Sequence, residues 1–248
     1  MKIATLIRIA IFIVLVAFLL QPDWFAPLLK PLTQNNAPVI YNQGSLLSLT
    51  LSHLKIVAIA TVGATILAVS LAVLVTSRIG AEFLPLSRSL VNIGQTFPPV
   101  AVLALAVPAV GFGEKPTLIA LFLYGLLPIF ENALTGLTTL SPSVMEAARG
   151  VGMTGWQQLV KVKLPLALPV ILGGIRLSVV ISLATATIGS TVAAKTLGEV
   201  IIAGLLSNNL SFVLQGGLIV AVLAVLIYDV LSAIERMAAR RNGTLTTR

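Results

Sequence analysis

The sequence predicts an all-α, polytopic membrane protein with about six transmembrane helices in one domain, residues 1–248. Hydrophobic residues make up 57% of the chain and charged residues only 10%, and the mean hydropathy is +1.05. Soluble globular domains carry roughly 25% charged residues, so that class is excluded. A helix needs about 20 apolar residues to cross a bilayer core. The segments that meet or nearly meet this length are 3–20, 56–77, 91–110, 117–137, 170–193 and 212–234.

The first apolar segment has a basic start, with Lys2 and Arg8, as a signal peptide does. No small-residue cleavage pattern follows it, because the next residues are Gln21, Pro22, Asp23 and Trp24. We therefore expect a retained first span. Residues 21–52 are polar and contain four prolines, which predicts an outer loop.

The basic residues predict the orientation of the spans. If the N-terminus is cytoplasmic, twelve Lys and Arg residues fall on the cytoplasmic side and four on the outer side. The positive-inside rule therefore places both termini in the cytoplasm. The cytoplasmic set is Lys2, Arg8, Arg78, Arg88, Arg149, Lys161, Lys163, Arg176, Arg236, Arg240, Arg241 and Arg248, and the outer set is Lys30, Lys55, Lys115 and Lys195.

Composition also excludes several functions. There are no cysteines and one histidine, His53, so thiol chemistry and Cys- or His-based metal sites are not expected. The formal charge of +8 is dispersed beside apolar runs, which does not indicate a nucleic-acid partner. No P-loop occurs, since Gly111-Phe-Gly-Glu-Lys-Pro-Thr lacks the spacing. We therefore expect no cofactor in this chain and energy from a partner.

Polar residues at membrane depth are candidates for a translocation path. Such residues precede the helix-distorting pair Pro98-Pro99 and recur in the fifth span. For the Ser and Thr residues of the fifth span, the alternative is a hydrogen bond to another helix or to a backbone carbonyl of their own helix. For Asn92 and Gln95, the structural and the functional interpretation carry equal weight. The candidates are Asn92, Gln95, Thr96, Thr185, Thr187 and Ser190, with Thr191 beside them.

Residues 138–169 form a polar interruption between two spans and predict a cytoplasmic helix–turn–helix. Either Ser141 before Pro142, or Ser143 with Glu146, can cap a first helix. Gly150-Val-Gly152 is expected to end that helix.

The second half of this loop contains its own capping signal. Thr154 with Gln157 predicts a capping box, which opens a helix over residues 156–163. Leu164-Pro165 is expected to end that helix. Small residues at the elbow, Ala147, Ala148 and Gly152, would let another protein approach the backbone closely.

The spacing of this loop is specific. Glu146-Ala147-Ala148, three residues, Gly152, nine residues, Val162, one residue and Leu164-Pro165 resemble the signature loop of binding-protein-dependent ABC importer permeases. Valine at 162 replaces the usual isoleucine. The resemblance implies a type I, MetI-like permease fold and a coupling role for Glu146, Ala147, Ala148, Gly152, Val162, Leu164 and Pro165.

Two further stretches narrow the resemblance. Residues 94–102, Gly-Gln-Thr-Phe-Pro-Pro-Val-Ala-Val, and 185–192, Thr-Ala-Thr-Ile-Gly-Ser-Thr-Val, are similar to permeases that import glycine betaine, choline or related quaternary amines, most of all to the Yeh-type betaine systems of enteric bacteria. The resemblance implies partner ATPase subunits that bind ATP and Mg, a second permease, different or identical, and a periplasmic binding protein. It also implies the bacterial inner membrane.

Alternatives remain open at this point. An amino-acid importer shares the loop, a self-contained secondary transporter would show an internal repeat or buried charges, and a membrane scaffold would not need the kinked spans. Asp229, Glu131 and Arg176 are read as snorkelling or paired charges near span ends. His53 and Lys55 are read as interfacial anchors, as are the aromatic residues Trp24 and Trp156.

Overall fold

The computed structural model describes residues 2–34, 36–77 and 79–241. Arg78, Arg248 and the Lys2 side chain, all counted for orientation, lie outside the described residues. No strand occurs in the described ranges. The α-helices are α1 Lys2–Leu20, α2 Ala26–Leu29, α3 Leu46–Val75, α4 Leu84–Thr96, α5 Pro99–Val110, α6 Glu114–Thr138, α7 Pro142–Gly150, α8 Gly155–Gln158, α9 Leu164–Thr185, α10 Gly198–Leu206 and α11 Leu210–Arg241. Short 3₁₀ helices cover Pro22–Phe25, Lys30–Leu32, Ala81–Phe83 and Ala186–Val192, and a π-helix covers Leu159–Lys163.

Within the described ranges, four helices are long and apolar enough to cross a membrane, and the number rises to six if two bent pairs count as spans. This agrees with the prediction of about six. The first bent pair is Thr5–Leu20 with Pro22–Leu32, at 112°. The second is Ala81–Thr96 with Pro99–Val110, at 97°. The predicted kink at Pro98-Pro99 is therefore a complete break, because Phe97 and Pro98 adopt extended conformations.

The second span begins at Leu46, ten residues before its predicted start at residue 56. Part of the predicted 21–52 outer loop is therefore helical, and short helices occupy its beginning. The sequence signal for the earlier start is Ser45, whose hydroxyl accepts a hydrogen bond of 3.3 Å from the Ser48 amide. This is an N-cap, but the polar residues that follow it lowered the local hydropathy.

The chain divides into two compact units, residues 1–59, 98–121 and 182–227, and residues 60–97, 122–181 and 228–248. The core of the first unit includes Leu15, Leu46, Leu197 and Phe212. In this unit α10 and the start of α11 hold the loop that precedes α3.

That loop is fixed through its backbone carbonyls. Asn209 donates to the Pro38 carbonyl at 2.8 Å, and Ser211 and Gln215 donate to the Val39 carbonyl at 2.6 and 2.8 Å. A loop without regular structure thereby obtains partners for its backbone polar groups. Residues 38–39 are thus anchored on the first turns of α11.

Tyr41 completes this attachment. Its amide donates to the Gln215 side chain at 3.1 Å, and its hydroxyl donates to Glu199 Oε1 at 2.7 Å. Burial, together with the hydrogen bond to Glu199, raises the pKa of Tyr41. The phenol therefore stays protonated and keeps its role as the donor.

His53 does not lie at an interface as expected. Its side chain is fully buried within α3, where Nε2 lies 3.1 Å from the Leu183 carbonyl and Nδ1 accepts from the Leu197 amide at 3.4 Å. The prediction that His53 is an interfacial anchor was wrong, because its side chain is buried and both ring nitrogens have hydrogen-bond partners. Lys55 is exposed and pairs with Glu114 at 3.2 Å.

The core of the second unit depends on small residues. Ala64, Ala68 and Ala72 recur every four residues along α3 and are fully buried against side chains of α6 such as Phe130. Small residues allow helix backbones to approach closely in a membrane. Gly94 of α4 is a second example, since a Cβ there would lie 2.3 Å from the Leu123 carbonyl oxygen.

We expect Gly94→Ala to destabilise the protein. The clashing atom is backbone and cannot rotate away, so the overpacking cost is about 1–3 kcal/mol. Thermal unfolding in detergent would measure a lower midpoint than that of the wild type. Gly217→Ala is the matched control, because a Cβ at Gly217 of α11 meets nothing within 4 Å. Equal midpoints for the two variants would contradict the packing role of Gly94.

Candidate functional site

The first helix of the predicted coupling loop, α7, begins after Ser141 as expected. Ser141 occupies the N-cap position and Pro142 the first turn, as the first alternative predicts, but the capping differs in its hydrogen bonds. Ser141 makes no side-chain cap bond, and its hydroxyl instead lies 2.7 Å from that of Ser143. Ser143 lies inside α7, so it cannot form a capping box with Glu146. Pro142 at the first helical position lacks an N–H, which leaves fewer donors to cap.

The elbow after α7 is closed by its own backbone. The Gly152 amide donates to the Arg149 carbonyl at 2.9 Å, and the Met153 amide donates to the Ala148 carbonyl at 3.1 Å. Gly152 has a φ of +78°, a conformation that favours glycine. A Cβ at Gly152 would nevertheless meet nothing within 4 Å. Within this chain, glycine is therefore required for the backbone turn and not for packing.

The surface around the elbow is open. Glu146 and Ala147 are exposed, whereas Ala148 is buried against its own unit. Two large apolar side chains, Val151 and Trp156, are 74% and 72% exposed. Both side chains flank the elbow, where they would add apolar area to a contact with a partner.

The second helix of the loop begins with the predicted capping box. The Gln157 amide donates to Thr154 Oγ1 at 3.3 Å, and the Thr154 amide donates to Gln157 Oε1 at 2.9 Å. This prediction is confirmed.

The helix does not end at Leu164-Pro165, so that prediction was wrong. It continues through the π-helical turn Leu159–Lys163 directly into α9, and residues 155–192 form one candidate span. The Leu164 amide donates to the Leu159 carbonyl five residues back. A widened turn accommodates a proline without the clash that an α-helix would impose at the carbonyl four residues before it. Val162, Leu164 and Pro165 are half-buried in this junction.

A groove of about 600 Å³ lies beside the loop, within the second unit. Arg149 and Lys163 line it together with Trp156, and the end of α3 contributes Thr76 and Ser77. The loop therefore presents cationic and apolar groups side by side.

Two of the path candidates in α4 bond their own helix. Asn92 donates to the Arg88 carbonyl at 2.9 Å, and Thr96 donates to the Ile93 carbonyl at 2.8 Å. Both side chains are exposed.

Gln95 bonds a different helix, and proline is the reason. Its Nε2 donates to the Tyr124 carbonyl at 3.0 Å. In an α-helix that carbonyl would accept from residue 128, but Pro128 has no N–H. In return, the Tyr124 hydroxyl donates to the Phe97 carbonyl at the break after α4. Gln95 therefore supplies a donor that α6 lacks.

The hydroxyl candidates of the fifth span also bond locally, in the first unit. Thr187 donates to the Ala184 carbonyl at 2.7 Å, and Thr191 donates to the Ile188 carbonyl at 2.7 Å. Ser190 lies 2.7 Å from the Thr196 hydroxyl. Thr185 is half-buried at the end of α9. The bonds of Thr187 and Thr191 match the back-bonding alternative, whereas Ser190 bonds another side chain.

The structure gives a defined polar environment to Arg176, which the sequence indicated only as a snorkelling or paired charge and not as a site residue. Arg176, in the middle of α9, pairs with Glu235 Oε2 at 3.1 Å and bonds the Ser232 hydroxyl at 2.8 Å. An ionisable residue inside an apolar segment is a functional candidate by default, so Arg176 itself could have been found. The expectation of paired charges is confirmed here and for Arg88 with Glu131 at 3.1 Å.

Broken apolar helices, polar side chains at membrane depth and an exposed, structured loop define a membrane transport protein. The model for the binding-protein-dependent transport system inner membrane component family matches residues 64–242. The chain belongs to this family and has a transport role. Among the described residues no cluster of His, Asp and Glu could hold a metal ion.

Several curated relatives are similar over most of the chain. The glycine betaine/carnitine/choline transport system permease protein OpuCB of Bacillus subtilis is 39% identical, over 79% of this chain and 89% of its own length. The osmoprotectant import permease protein OsmY of Salmonella typhimurium is 38% identical, over 77% and 80%. The choline transport system permease protein OpuBB of Bacillus subtilis is 38% identical, over 79% and 89%. These relatives agree with the resemblance to osmoprotectant permeases.

Solved structures confirm the expected fold. An inward-facing MetNI methionine ABC transporter chain matches with a TM-score of 0.70 at 20% identity, covering 78% of this chain and 95% of that chain. An amino acid ABC transporter crystallised with histidines matches with a TM-score of 0.65 at 20% identity, covering 77% and 92%. The fold is therefore that of a MetI-like ABC importer permease.

We expect Gln95→Ala to destabilise the protein by about 1–3 kcal/mol, because it leaves the Tyr124 carbonyl without a partner. Thermal unfolding in detergent would measure this cost. Asn92→Ala is the control, since the carbonyl that Asn92 bonds belongs to its own helix.

Measuring the cost of Gln95→Ala both in the wild type and in a Pro128→Ala variant gives a sharper comparison. Alanine restores an amide that can reach the Tyr124 carbonyl, so Gln95→Ala should cost less there than in the wild type. An equal cost in both backgrounds would show that the orphaned carbonyl is not the reason for the bond.

Proposed function

We propose that this chain is the membrane-spanning subunit of an ATP-driven importer for osmoprotectants such as glycine betaine or related quaternary amines. The observation that carries the proposal is identity of 37–39% over about four-fifths of the chain to permeases named for betaine, carnitine, choline or osmoprotectants. The solved neighbours named for amino acids are only 20% identical, so they support the fold and not their substrates.

The coupling role belongs to the loop around the elbow. We assign it to Glu146, Ala147, Ala148, Gly152, Val162, Leu164 and Pro165. Three features support this assignment: the exposed surface at Val151 and Trp156, the backbone-defined turn at Gly152, and the unbroken helix from Gly155 into the span. A displacement of the elbow would be carried along this helix.

Energy comes from a partner. ATPase subunits bind ATP and Mg and receive the elbow in a surface groove, so that their closure re-tilts the spans between inward-open and outward-open states. A second permease, different from this chain or identical to it, completes the membrane part, and a periplasmic binding protein delivers the solute. The chain then lies in the bacterial inner membrane with both termini cytoplasmic.

The whole chain, residues 1–248, acts as one transmembrane permease domain, with the part of 21–52 that precedes the helix at Leu46 outside and 138–169 as the coupling loop. Asn92, Gln95, Thr96, Thr185, Thr187 and Ser190 remain the path candidates from sequence. Exposure of Asn92 and Thr96 supports their place in this set. The interhelical bond of Gln95 gives that residue a structural role as well.

Purification of the tagged chain from native membranes in mild detergent tests the assembly. We expect an ATPase and a second permease to accompany it, and we expect the reconstituted complex with its binding protein to import glycine betaine. Uptake of methionine instead of betaine would replace the substrate, and uptake without any ATPase would reject the importer.

We expect Gly152→Val to uncouple or dissociate the complex. A β-branched residue in the left-handed region costs about 1–3 kcal/mol, and the added bulk faces open space where a partner would dock. Transport, ATPase activity and co-purification would measure the loss. Gly150→Ala is the control, since this helical position also has open space. Wild-type transport by Gly152→Val would reject the docking role.

A further inference from the structure

The second unit contains another cavity, separate from the groove beside the loop. It measures about 560 Å³ and lies among α6, α9 and α11. Arg176, Glu235, Tyr228 and Asn132 supply its polar and aromatic lining, and apolar side chains of α9 such as Leu177 supply the rest. This volume is within the range of small-molecule sites.

The guanidinium of Arg176 is held on three sides. Its Nη1 lies 3.1 Å from Glu235 Oε2 and 2.8 Å from the Ser232 hydroxyl. The guanidinium carbon lies 4.8 Å from the centre of the Tyr228 ring. Among the described residues both polar contacts use Nη1, so other N–H groups of the guanidinium can bind a carboxylate.

Stability does not account for this pair. Charged groups inside an apolar span are costly, and a buried ion pair is commonly no more stabilising than apolar side chains of the same size. The side chains of Arg176 and Glu235 are still 25% and 28% exposed, and both line the cavity. The charges are therefore available to a ligand.

The cavity also has room beside the carboxylate. Gly173 of α9 lines it, and a Cβ at that position would lie 3.8 Å from Glu235 Oε1. A side chain any larger than alanine would extend into the space next to Glu235. Glycine leaves this part of the cavity open.

We propose that this cavity binds a zwitterion that carries both a carboxylate and a quaternary ammonium group. The proposal rests on the proposed import function and names its site in this chain. The carboxylate binds Arg176, and the ammonium lies against the face of Tyr228, near Glu235. The two charges of a zwitterion are complementary to those of Arg176 and Glu235, so its binding does not change the net charge of the site. A cation without a carboxylate uses only half of the site.

Equilibrium binding tests the site in the complete permease–ATPase complex, reconstituted in nanodiscs without the binding protein. Labelled glycine betaine is the zwitterionic probe and choline the cationic one. We expect Arg176→Gln to raise the Kd for betaine about ten- to hundredfold and to leave the Kd for choline unchanged or lower, because Glu235 loses its resident cation. We expect Glu235→Gln to weaken the binding of both probes.

Two further variants separate binding from folding. Tyr228→Leu removes an exposed ring and its contact with the Arg176 guanidinium, but it leaves the bonds of Arg176 to Glu235 and Ser232 in place. It should therefore assemble normally and raise the Kd for both probes about three- to thirtyfold. Glu131→Gln is the matched control, since it breaks another Arg–Glu pair of the same unit and should change neither Kd.

The outcomes distinguish the two proposals. Uptake of betaine by the full system, together with no betaine binding or with binding that Arg176→Gln and Glu235→Gln do not weaken, overturns the site and leaves the importer intact. Equal weakening of betaine and choline by Arg176→Gln assigns the pair a structural role and also overturns the site. If Arg176→Gln fails to assemble, an unchanged Kd in Tyr228→Leu overturns it. Absence of both uptake and binding in the wild type rejects the proposed function as well.

Discussion

The constraint on which the rest of the structure depends is that a bilayer core offers backbone N–H and C=O groups no water. Backbone groups that a helix leaves without a partner must therefore find one elsewhere, and two side chains of this chain do so. Gln95 reaches the Tyr124 carbonyl that Pro128 cannot serve. His53 bonds the carbonyl of Leu183 at the point where α9 gives way to a 3₁₀ helix. Polar side chains at membrane depth are thus first a means of satisfying the backbone, and only the remainder can serve a solute.

The same constraint explains why the coupling loop joins its span without a break. A helix that ended at Pro165 would leave unpaired carbonyls where the chain enters the apolar region. The π-helical turn Leu159–Lys163 keeps the carbonyls paired while it makes room for the proline ring. A continuous helix is also stiffer than a hinge, so a force at the elbow acts on the span itself. The structural solution to one proline therefore yields the mechanical link that a coupling role requires.

Signals from residues close together in the sequence predicted much of this architecture. Contacts between residues far apart in the sequence could not be predicted. The capping box at Thr154 and the helix distortion at Pro98-Pro99 depend on residues within a few positions, so both could be predicted, although the distortion is a complete break and not the predicted kink. The burial of His53 depends on a carbonyl 130 residues away, and the ion pair of Arg176 depends on Glu235 in another helix. Neither partner can be chosen from a single sequence. A charged residue near a span end predicts an ion pair in general terms. Which residue is its partner depends on how the helices pack.

Contacts within the chain explain why some positions carry the residues they do, and leave other positions unexplained. A Cβ at Gly94 would meet backbone at 2.3 Å, whereas one at Gly152 would meet nothing. The first glycine is accounted for by the chain itself. The second is accounted for only in part, by its turn, and contacts within the chain do not account for the exposed side chains of Val151 and Trp156 beside it. A structured surface that internal packing does not explain fits the docking role proposed for the loop, and this reasoning applies to the loop more strongly than to any hydroxyl of the spans.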